Sequence, residues 1–222
     1  MAITDWDSLK TAVQSYAGNR TDTTFVNQIE TFVDLAEHRI YHGVGTPRDP
    51  LYSEPLRCDE LVTSSTVSFT ASSGTVPSDC LGIRRLDRDD DTMGLDYLTP
   101  DALALDVARE ASSTTLPRYY TVEGTTIKLS PSGYGSALNI LYWAEPTGIS
   151  SSNTTNAILT AYPTLYLYAT LMQAFSWMDN PEKMQTYLAE TRAAVSGINS
   201  TKIATQHGGG SMIAKPRVVI GA

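Results

Sequence analysis

The chain has 222 residues, of which 41% are hydrophobic and 18% are charged, so we expect one compact domain with extensions and not a disordered chain. Its 24 acidic residues exceed its 16 basic ones, and the resulting formal charge of −8 disfavours a basic face that wraps or reads DNA. An acidic wall along which DNA slides without binding is compatible with that charge.

Residues 1–46 are predicted to form a pair of helices. Apolar residues recur at helical spacing after Thr4, which we expect to cap the first helix. They do so again after Asp22, which opens the second. Gly43 and Pro47 end the pair, because proline cannot continue a helix.

Residues 47–148 are predicted to form a β-rich domain. Ser72–Gly74 indicates a turn, Glu123–Gly124 indicates a hairpin turn, and Pro100 starts one short helix within the domain. The strands are expected at Thr66–Thr70, Leu81–Leu86, Arg118–Val122, Thr125–Leu129 and Ala137–Trp143.

Residues 149–206 are predicted to be helical again. Pro163 begins a helix that is apolar nearly all round, and Asn180 caps a second helix whose first residue is Pro181. The apolar segment Leu159–Met178 is broken by polar residues and falls short of a membrane span, which favours a buried helix. We therefore predict an α+β fold, in which N- and C-terminal helices build a four-helix-type bundle and the β-rich domain is inserted between them.

Residues 207–222 are predicted to form an extended C-terminal arm. Gly208–Gly210 gives the arm a flexible start, and short strand-like apolar sequence follows. Such a tail either folds back as an extra strand or docks on a partner. The candidate partner-binding residues are Met212, Ile213, Pro216, Arg217, Val218, Val219 and Ile220.

No pattern in the sequence indicates catalysis, a cofactor or a metal. His38 and His42 lie one helical turn apart, but a zinc site needs three or four ligands. Asp87–Asp91 lacks the Gly and Glu that a calcium loop requires at positions six and twelve, so it indicates a solvated turn. The cysteines fit no metal or redox spacing, and no nucleophile elbow or phosphate-binding loop occurs. We predict that the protein is not an enzyme.

An ordered set of segments points to a family, although no single one is specific. The segments are Phe32–Ile40, Val76–Leu86, Leu98–Leu103, Leu116–Pro131, Leu141–Pro146, Tyr162–Ala174 and the helix start at Asn180. Their order resembles that in the head-to-tail adaptor (connector) proteins beneath the portal of tailed bacteriophages, especially short-tailed ones. The resemblance spans the chain from about Asp5 to Gly208.

The resemblance implies a structural protein of the virion. Its copies would form a dodecameric ring that joins the portal to the tail or nozzle protein, with genomic DNA passing through without specific binding. The arm, Met212 to Ile220, would bind the portal. A hairpin loop containing Asp87, Asp89, Asp90 and Asp91 would face the tail. Assembly would take place in the host cytoplasm and the protein would lie at the head–tail junction, with no membrane contact.

Two alternatives remain open at this point. The first is another neck or tail-completion ring protein that does not contact the portal. The second is a carbohydrate-binding β module, for which Tyr119, Tyr120 and Trp143 would have to be exposed together.

Overall fold

The computed structural model describes residues 2–88, 94–109 and 116–206, and these form two compact units. The helical unit consists of the described residues of Met1–Asp59, Ile149–Thr155 and Leu159–Ala222. The sheet unit consists of the described residues of Glu60–Gly148 and Asn156–Ile158. Among these residues the chain contains six α-helices and seven strands, so the fold is mixed helical and β.

Helix α1 spans Trp6–Tyr16 and begins one residue later than Thr4 predicts. Asp5 is the N-cap: its carboxylate accepts a hydrogen bond from the Ser8 backbone N–H at 2.9 Å. The Ser8 hydroxyl in turn accepts from the Asp5 backbone N–H at 3.0 Å, which completes a capping box. The prediction of Thr4 as the cap is wrong because Asp5 satisfies the free N–H groups of the first turn instead.

Helix α2 spans Thr23–His42 and is capped by Asp22, as its sequence predicts. The Asp22 carboxylate accepts a hydrogen bond from the Phe25 backbone N–H at 2.9 Å. Gly43 ends the helix with a φ of 69° and a ψ of −179°, a backbone conformation that is open almost exclusively to glycine.

The C-terminal half of the chain contributes a buried helix and a long exposed one. Helix α4 is short, Ala157–Ala161; α5 spans Pro163–Trp177, and α6 spans Pro181–Gln206. Nine of the 15 residues of α5 are buried, and α5 packs against α1, α2 and α6. The Asn180 side chain accepts from the Lys183 N–H at 3.1 Å, so Asn180 and Pro181 are confirmed as cap and first residue of α6. No helix among the described residues is long and apolar enough to cross a bilayer.

The sheet unit contains one sheet in the order β3-β7-β1-β2-β6-β5-β4, with β4 and β5 parallel and every other neighbouring pair antiparallel. Its strands are β1 Val62–Thr70, β2 Ser73–Thr75, β3 Cys80–Asp87, β4 Asp96–Tyr97, β5 Tyr119–Glu123, β6 Thr126–Ser130 and β7 Ala137–Ala144. One 3₁₀ turn precedes β1, at Asp59–Leu61, and α3 spans Pro100–Arg109.

The turn between β1 and β2 lies one residue earlier than predicted. Ala71 and Ser72 both have positive φ, 47° and 65°, and Thr70 pairs with Ser73. Residues with positive φ at both central positions make the turn that matches the twist of a hairpin. Ser73–Thr75 is therefore a strand and not part of the turn, and the predicted turn at Ser72–Gly74 is corrected accordingly.

A hydrophobic core stabilises the sheet unit. Alternate residues of the central strands supply it, as period-2 side-chain alternation requires. Its members are Val67, Phe69, Leu86, Leu95, Tyr120, Ile127, Leu129, Leu138, Ile140 and Tyr142. The hairpin predicted around Glu123–Gly124 is confirmed, with Glu123 opposite Thr126 and Gly124 at a φ of 60°.

Candidate functional site

The arm residues predicted to bind the portal lie outside the described residues. The described chain reaches Gln206, the last residue of α6, and the glycine tether begins two residues later. The assignment of Met212 to Ile220 to partner binding therefore stays a prediction.

The predicted acidic loop is described only at its edges. Asp87 and Gly94 form an antiparallel bridge, and the Leu95 N–H donates to the Leu86 carbonyl at 2.8 Å. Arg85 Nε donates to the Asp87 carboxylate at 2.6 Å, and the Asp87 side chain is only 14% exposed. Asp87 therefore adds little free negative charge to the surface, while Asp89, Asp90 and Asp91 lie outside the described residues.

A buried polar cluster joins α2 to α5 and to the segment before α4 in the helical unit. Glu37, on the buried face of α2, accepts hydrogen bonds from the Tyr166 hydroxyl at 2.9 Å and from the Ile149 backbone N–H at 3.0 Å. The hydroxyls of Tyr41 and Tyr166 lie 2.6 Å apart. Because a buried carboxylate is costly without partners, this cluster fixes the register of α2 against α5.

The sequence does contain a signal for this cluster. Glu37 follows Val33 by four residues and precedes Ile40 by three, so it lies within the apolar stripe of α2. A carboxylate in such a stripe indicates a buried polar partner, because an unpaired one would destabilise the fold.

Two arginines hold the segment that follows α2. Arg39 donates from Nη1 to the Leu51 carbonyl at 3.0 Å, while Arg192 on α6 donates to the carbonyls of Pro50 and Tyr52. Burial lowers the pKa of Arg39, and the nearby positive charge of Arg192 lowers it further. Neither guanidinium has a carboxylate partner within the part of the chain that the structure describes, so the two leave a local positive charge on this acidic protein.

Three exposed apolar residues lie on or beside α2 and α5: Leu35 on α2, Leu51 in the segment held by Arg39, and Trp177 at the end of α5. Leu35, Leu51 and Trp177 are 51%, 44% and 45% exposed. Gln173 donates to the Leu35 carbonyl at 3.5 Å and precedes Trp177 by one helical turn. We call Arg39, Leu35, Leu51, Gln173 and Trp177 together the Trp177 strip.

The Trp177 ring is fixed although it is partly exposed. Its centroid lies 5.8 Å from the Phe32 ring and 6.2 Å from the Phe25 ring. Both phenylalanines are buried, so the indole is held in place by the core beneath it. Large, rigid aromatic side chains flanked by arginine are the residue types that contribute most to protein interfaces.

A groove lies next to α1 in the helical unit. It encloses about 490 Å³, and its lining includes Ile3, Thr11, Ala12, Ser15, Tyr16 and Leu167. We call it the α1 groove. Burial raises the pKa of Tyr187, and Tyr16 and Tyr168 raise it further, so aromatic hydroxyls gather near the C-terminal end of α1.

The three aromatic residues required for the carbohydrate alternative are not exposed together. Tyr120 is 8% exposed and belongs to the core of the sheet unit. Trp143 lies on β7 beneath the Arg84 guanidinium, 5.3 Å from the ring centroid. Three strands separate β7 from β5, which carries Tyr119 and Tyr120. These residues form no common sugar-stacking surface.

The two histidines of α2 lie against each other, with ring centroids 4.7 Å apart. Within the described residues, no group of three or more His, Cys, Asp or Glu side chains is arranged to hold a metal ion. No disulfide bond joins Cys58 and Cys80.

Comparison with known families agrees with the resemblance found in the sequence. The family model described as SU10 adaptor protein matches residues 4–213, which is nearly the whole chain. Among curated proteins, no sequence matches the chain significantly. The match covers both units and every segment on which the resemblance to phage head-to-tail adaptors rests. The chain therefore belongs to the SU10 adaptor protein family.

Proposed function

We propose that the protein forms a dodecameric ring that joins the phage portal to the tail and lines the channel through which the genome passes. The observation that carries the proposal is the family match over residues 4–213. The role is structural, and we propose no catalytic residue. We place the ring at the head–tail junction of the virion, after assembly in the host cytoplasm.

Each copy contributes a four-helix-type bundle (residues 1–46 and 149–206) and an inserted β-rich domain (residues 47–148). The packing of α5 against α1, α2 and α6 supports such a bundle. In this proposal, copies meet laterally through their bundles. The loop at Asp87–Asp91 points toward the tail or nozzle protein.

The arm, residues 207–222, binds the portal in this proposal. Its apolar residues follow a glycine tether directly after α6, and a tethered apolar segment gains most by burying its side chains on a partner surface. Ordering the arm costs conformational entropy, and contacts with the portal offset that cost. Without the portal, the free protein can therefore stay monomeric.

Genomic DNA is a passing cargo and not a bound ligand in this proposal. The chain carries a formal charge of −8, and a surface of that sign does not hold phosphates. A ring that releases DNA freely needs this property.

Electron microscopy of the full-length protein, alone and mixed with the portal of its own phage, tests the proposal. We expect a ring stacked on the portal. A variant lacking Gly209–Ala222 should remain folded, with unchanged circular dichroism, and should no longer bind the portal. Undiminished portal binding by this variant would refute the role of the arm.

The rival neck-protein function makes the opposite prediction for the same mixture. A neck or tail-completion ring protein would leave the portal uncovered and would form rings only with another neck component. A monomer that persists beside free portal would therefore overturn the portal-joining role.

A further inference from the structure

We propose that the Trp177 strip of one copy docks in the α1 groove of the neighbouring copy, so that these two surfaces form the lateral contact of the ring. The inference rests on the ring proposed above and names the surfaces that build it. Both surfaces lie in the helical unit, and each is complete within one copy.

The two surfaces lie on different sides of α5, as a ring contact requires. Gln173 belongs to the strip and Leu167 to the groove, and the two are six residues apart on α5. At 3.6 residues per turn, this separation turns them about 120° from each other, and Trp177, ten residues from Leu167, lies about 80° from it. A contact between two different surfaces is head-to-tail, and repetition of such a contact closes a ring when the rotation permits.

The chemistry of the two surfaces is complementary. The strip presents an indole and leucine side chains, and the groove is lined by Ile3, Ala12, Tyr16 and Leu167. Asp7 lies on α1, exposed, one turn before the groove residue Thr11. Its carboxylate has no ion-pair partner within the described residues and is available to Arg39 of the neighbouring copy.

The distance between the charged residue and the apolar end is about the same on the strip as on the groove. Arg39 lies one turn after Leu35 on α2, and Trp177 lies one turn after Gln173 on α5, whose side chain donates to the Leu35 carbonyl. Glu37 contacts Tyr166 whereas Phe25 and Phe32 contact Trp177, so the two helices are antiparallel. The two turns therefore add, and Arg39 and Trp177 are about 12 Å apart along the helices at 1.5 Å per residue. Asp7 and Ser15 are eight residues apart on α1, which is also about 12 Å. Arg39 can therefore meet Asp7 while Trp177 enters the groove beside Ser15 and Tyr16.

The strip is the centre of the contact and not its whole extent. A stable interface buries about 800 Å² on each partner, which is more than three exposed side chains supply. A few central aromatic and arginine residues nevertheless carry most of the binding energy in such interfaces. Leu35 is the best probe, because it is half-exposed and its side chain can be changed without opening the core.

Mixed disulfide cross-linking on the portal tests the contact directly. Full-length Leu35→Cys protein and Thr11→Cys protein, both with Cys80→Ser, are assembled on the portal separately and as a mixture, and are then oxidised. We expect covalent dimers from the mixture and none from either variant alone. Dimers from Leu35→Cys alone would reveal a two-fold contact and overturn the inference. Rings without cross-links in the mixture would also overturn it.

Charge reversal supplies an independent readout. Arg39→Glu and Asp7→Lys are each expected to lower ring formation about tenfold or more, and the double variant should restore it. Arg39 also donates a hydrogen bond to the Leu51 carbonyl, and Arg39→Glu removes that bond. Asp7→Lys on α1 cannot restore it, so recovery in the double variant would report the contact between copies. Two single losses without restoration in the double variant would refute the pairing.

A matched pair of leucine substitutions separates this inference from the ring itself. Leu35→Glu should lower ring formation about tenfold, whereas Leu105→Glu, on exposed α3 in the sheet unit, should leave it unchanged. Equal rings from wild type and Leu35→Glu would refute the strip and leave the adaptor function intact. The absence of any ring from wild-type protein on the portal would overturn the ring, and the strip contact with it.

Discussion

The Tyr166 hydroxyl donates a hydrogen bond to the Glu37 carboxylate at 2.9 Å, between residues that are 129 positions apart in the chain. Both side chains are buried. This bond, with the Ile149 N–H donated to the same carboxylate oxygen, ties α2 to α5 and to the segment that returns the chain from the sheet unit. Deleting one member of such a cluster leaves the others desolvated and unsatisfied.

Tyr166→Phe is accordingly expected to destabilise the protein by about 1–3 kcal/mol, because it removes a hydrogen bond to a buried carboxylate. Thermal unfolding of the full-length protein measures the effect. Tyr168→Phe is the matched control: it lies on the same helix, and its ring contact with Tyr187 does not need the hydroxyl. Equal stability of the two variants would contradict a structural role for the cluster.

Gly43→Ala is expected to destabilise the protein by about 1–3 kcal/mol through backbone strain. A Cβ at this position would lie 2.6 Å from the Ser53 carbonyl oxygen, and the φ of 69° is unfavourable for any side chain. Gly124→Ala is the control, since its φ of 60° is similar but no atom lies within 4 Å of the added Cβ. Chemical denaturation should show the larger loss for Gly43→Ala. An equal or larger loss of stability for Gly124→Ala would contradict the predicted clash between the added Cβ and the Ser53 carbonyl.

Arg192→Ala is expected to loosen the segment between α2 and the sheet unit. Arg192 donates to the Pro50 and Tyr52 carbonyls, and nearby Val44 and Ser53 exchange two backbone hydrogen bonds of 2.9 Å. Amide hydrogen exchange at Val44 and Ser53 should accelerate in the variant. Exchange at both amides should be unchanged in Arg20→Ala, whose partner is Asp22 at the other end of α2. Unchanged exchange in Arg192→Ala would show that the segment does not depend on this arginine.

Because the N-caps of α1 and α2 are aspartates, we expect the protein to lose stability at acid pH. The Phe25 backbone N–H holds the pKa of Asp22 below its ordinary value, and the Ser8 backbone N–H and hydroxyl do the same for Asp5. Because the folded pKa is the lower one, the stabilisation is present above the unfolded pKa, about 4, and is lost as pH falls through the folded value. Unfolding midpoints measured from about pH 5 down to pH 2 should fall less steeply in Asp22→Asn than in wild type. An identical slope would exclude Asp22 as a contributor.

Helix starts were predictable wherever one side chain decides them. Asp22 and Asn180 each accept the N–H three residues later, and both were found by their type and by the apolar run that follows. The prediction of Thr4 as the cap of α1 is wrong because its neighbour Asp5 also suits an N-cap. Ser8 favours Asp5, since the two residues exchange a reciprocal pair of hydrogen bonds. Local sequence does not decide between two adjacent cap residues.

Short strands and distant contacts were out of reach for a different reason. The two residues of β4 carry no periodicity, and they become a strand only because β5 lies alongside. The arginine pair is formed by residues 153 positions apart, Arg39 and Arg192, and neither shows a local pattern. Partners of this kind depend on tertiary packing, which one sequence does not display.

The helical unit combines N-terminal and C-terminal parts of the chain, so it can be completed only late in synthesis. The ribosome releases α2 more than a hundred residues before α5, so at about 5–20 residues per second its apolar stripe lacks its final cover for about 6 to 24 seconds. The sheet unit emerges in that interval and contains its own core. A nascent chain that stalls before Pro163 would therefore carry a finished sheet and an uncovered helix pair, the form of this protein most exposed to chaperones and to aggregation.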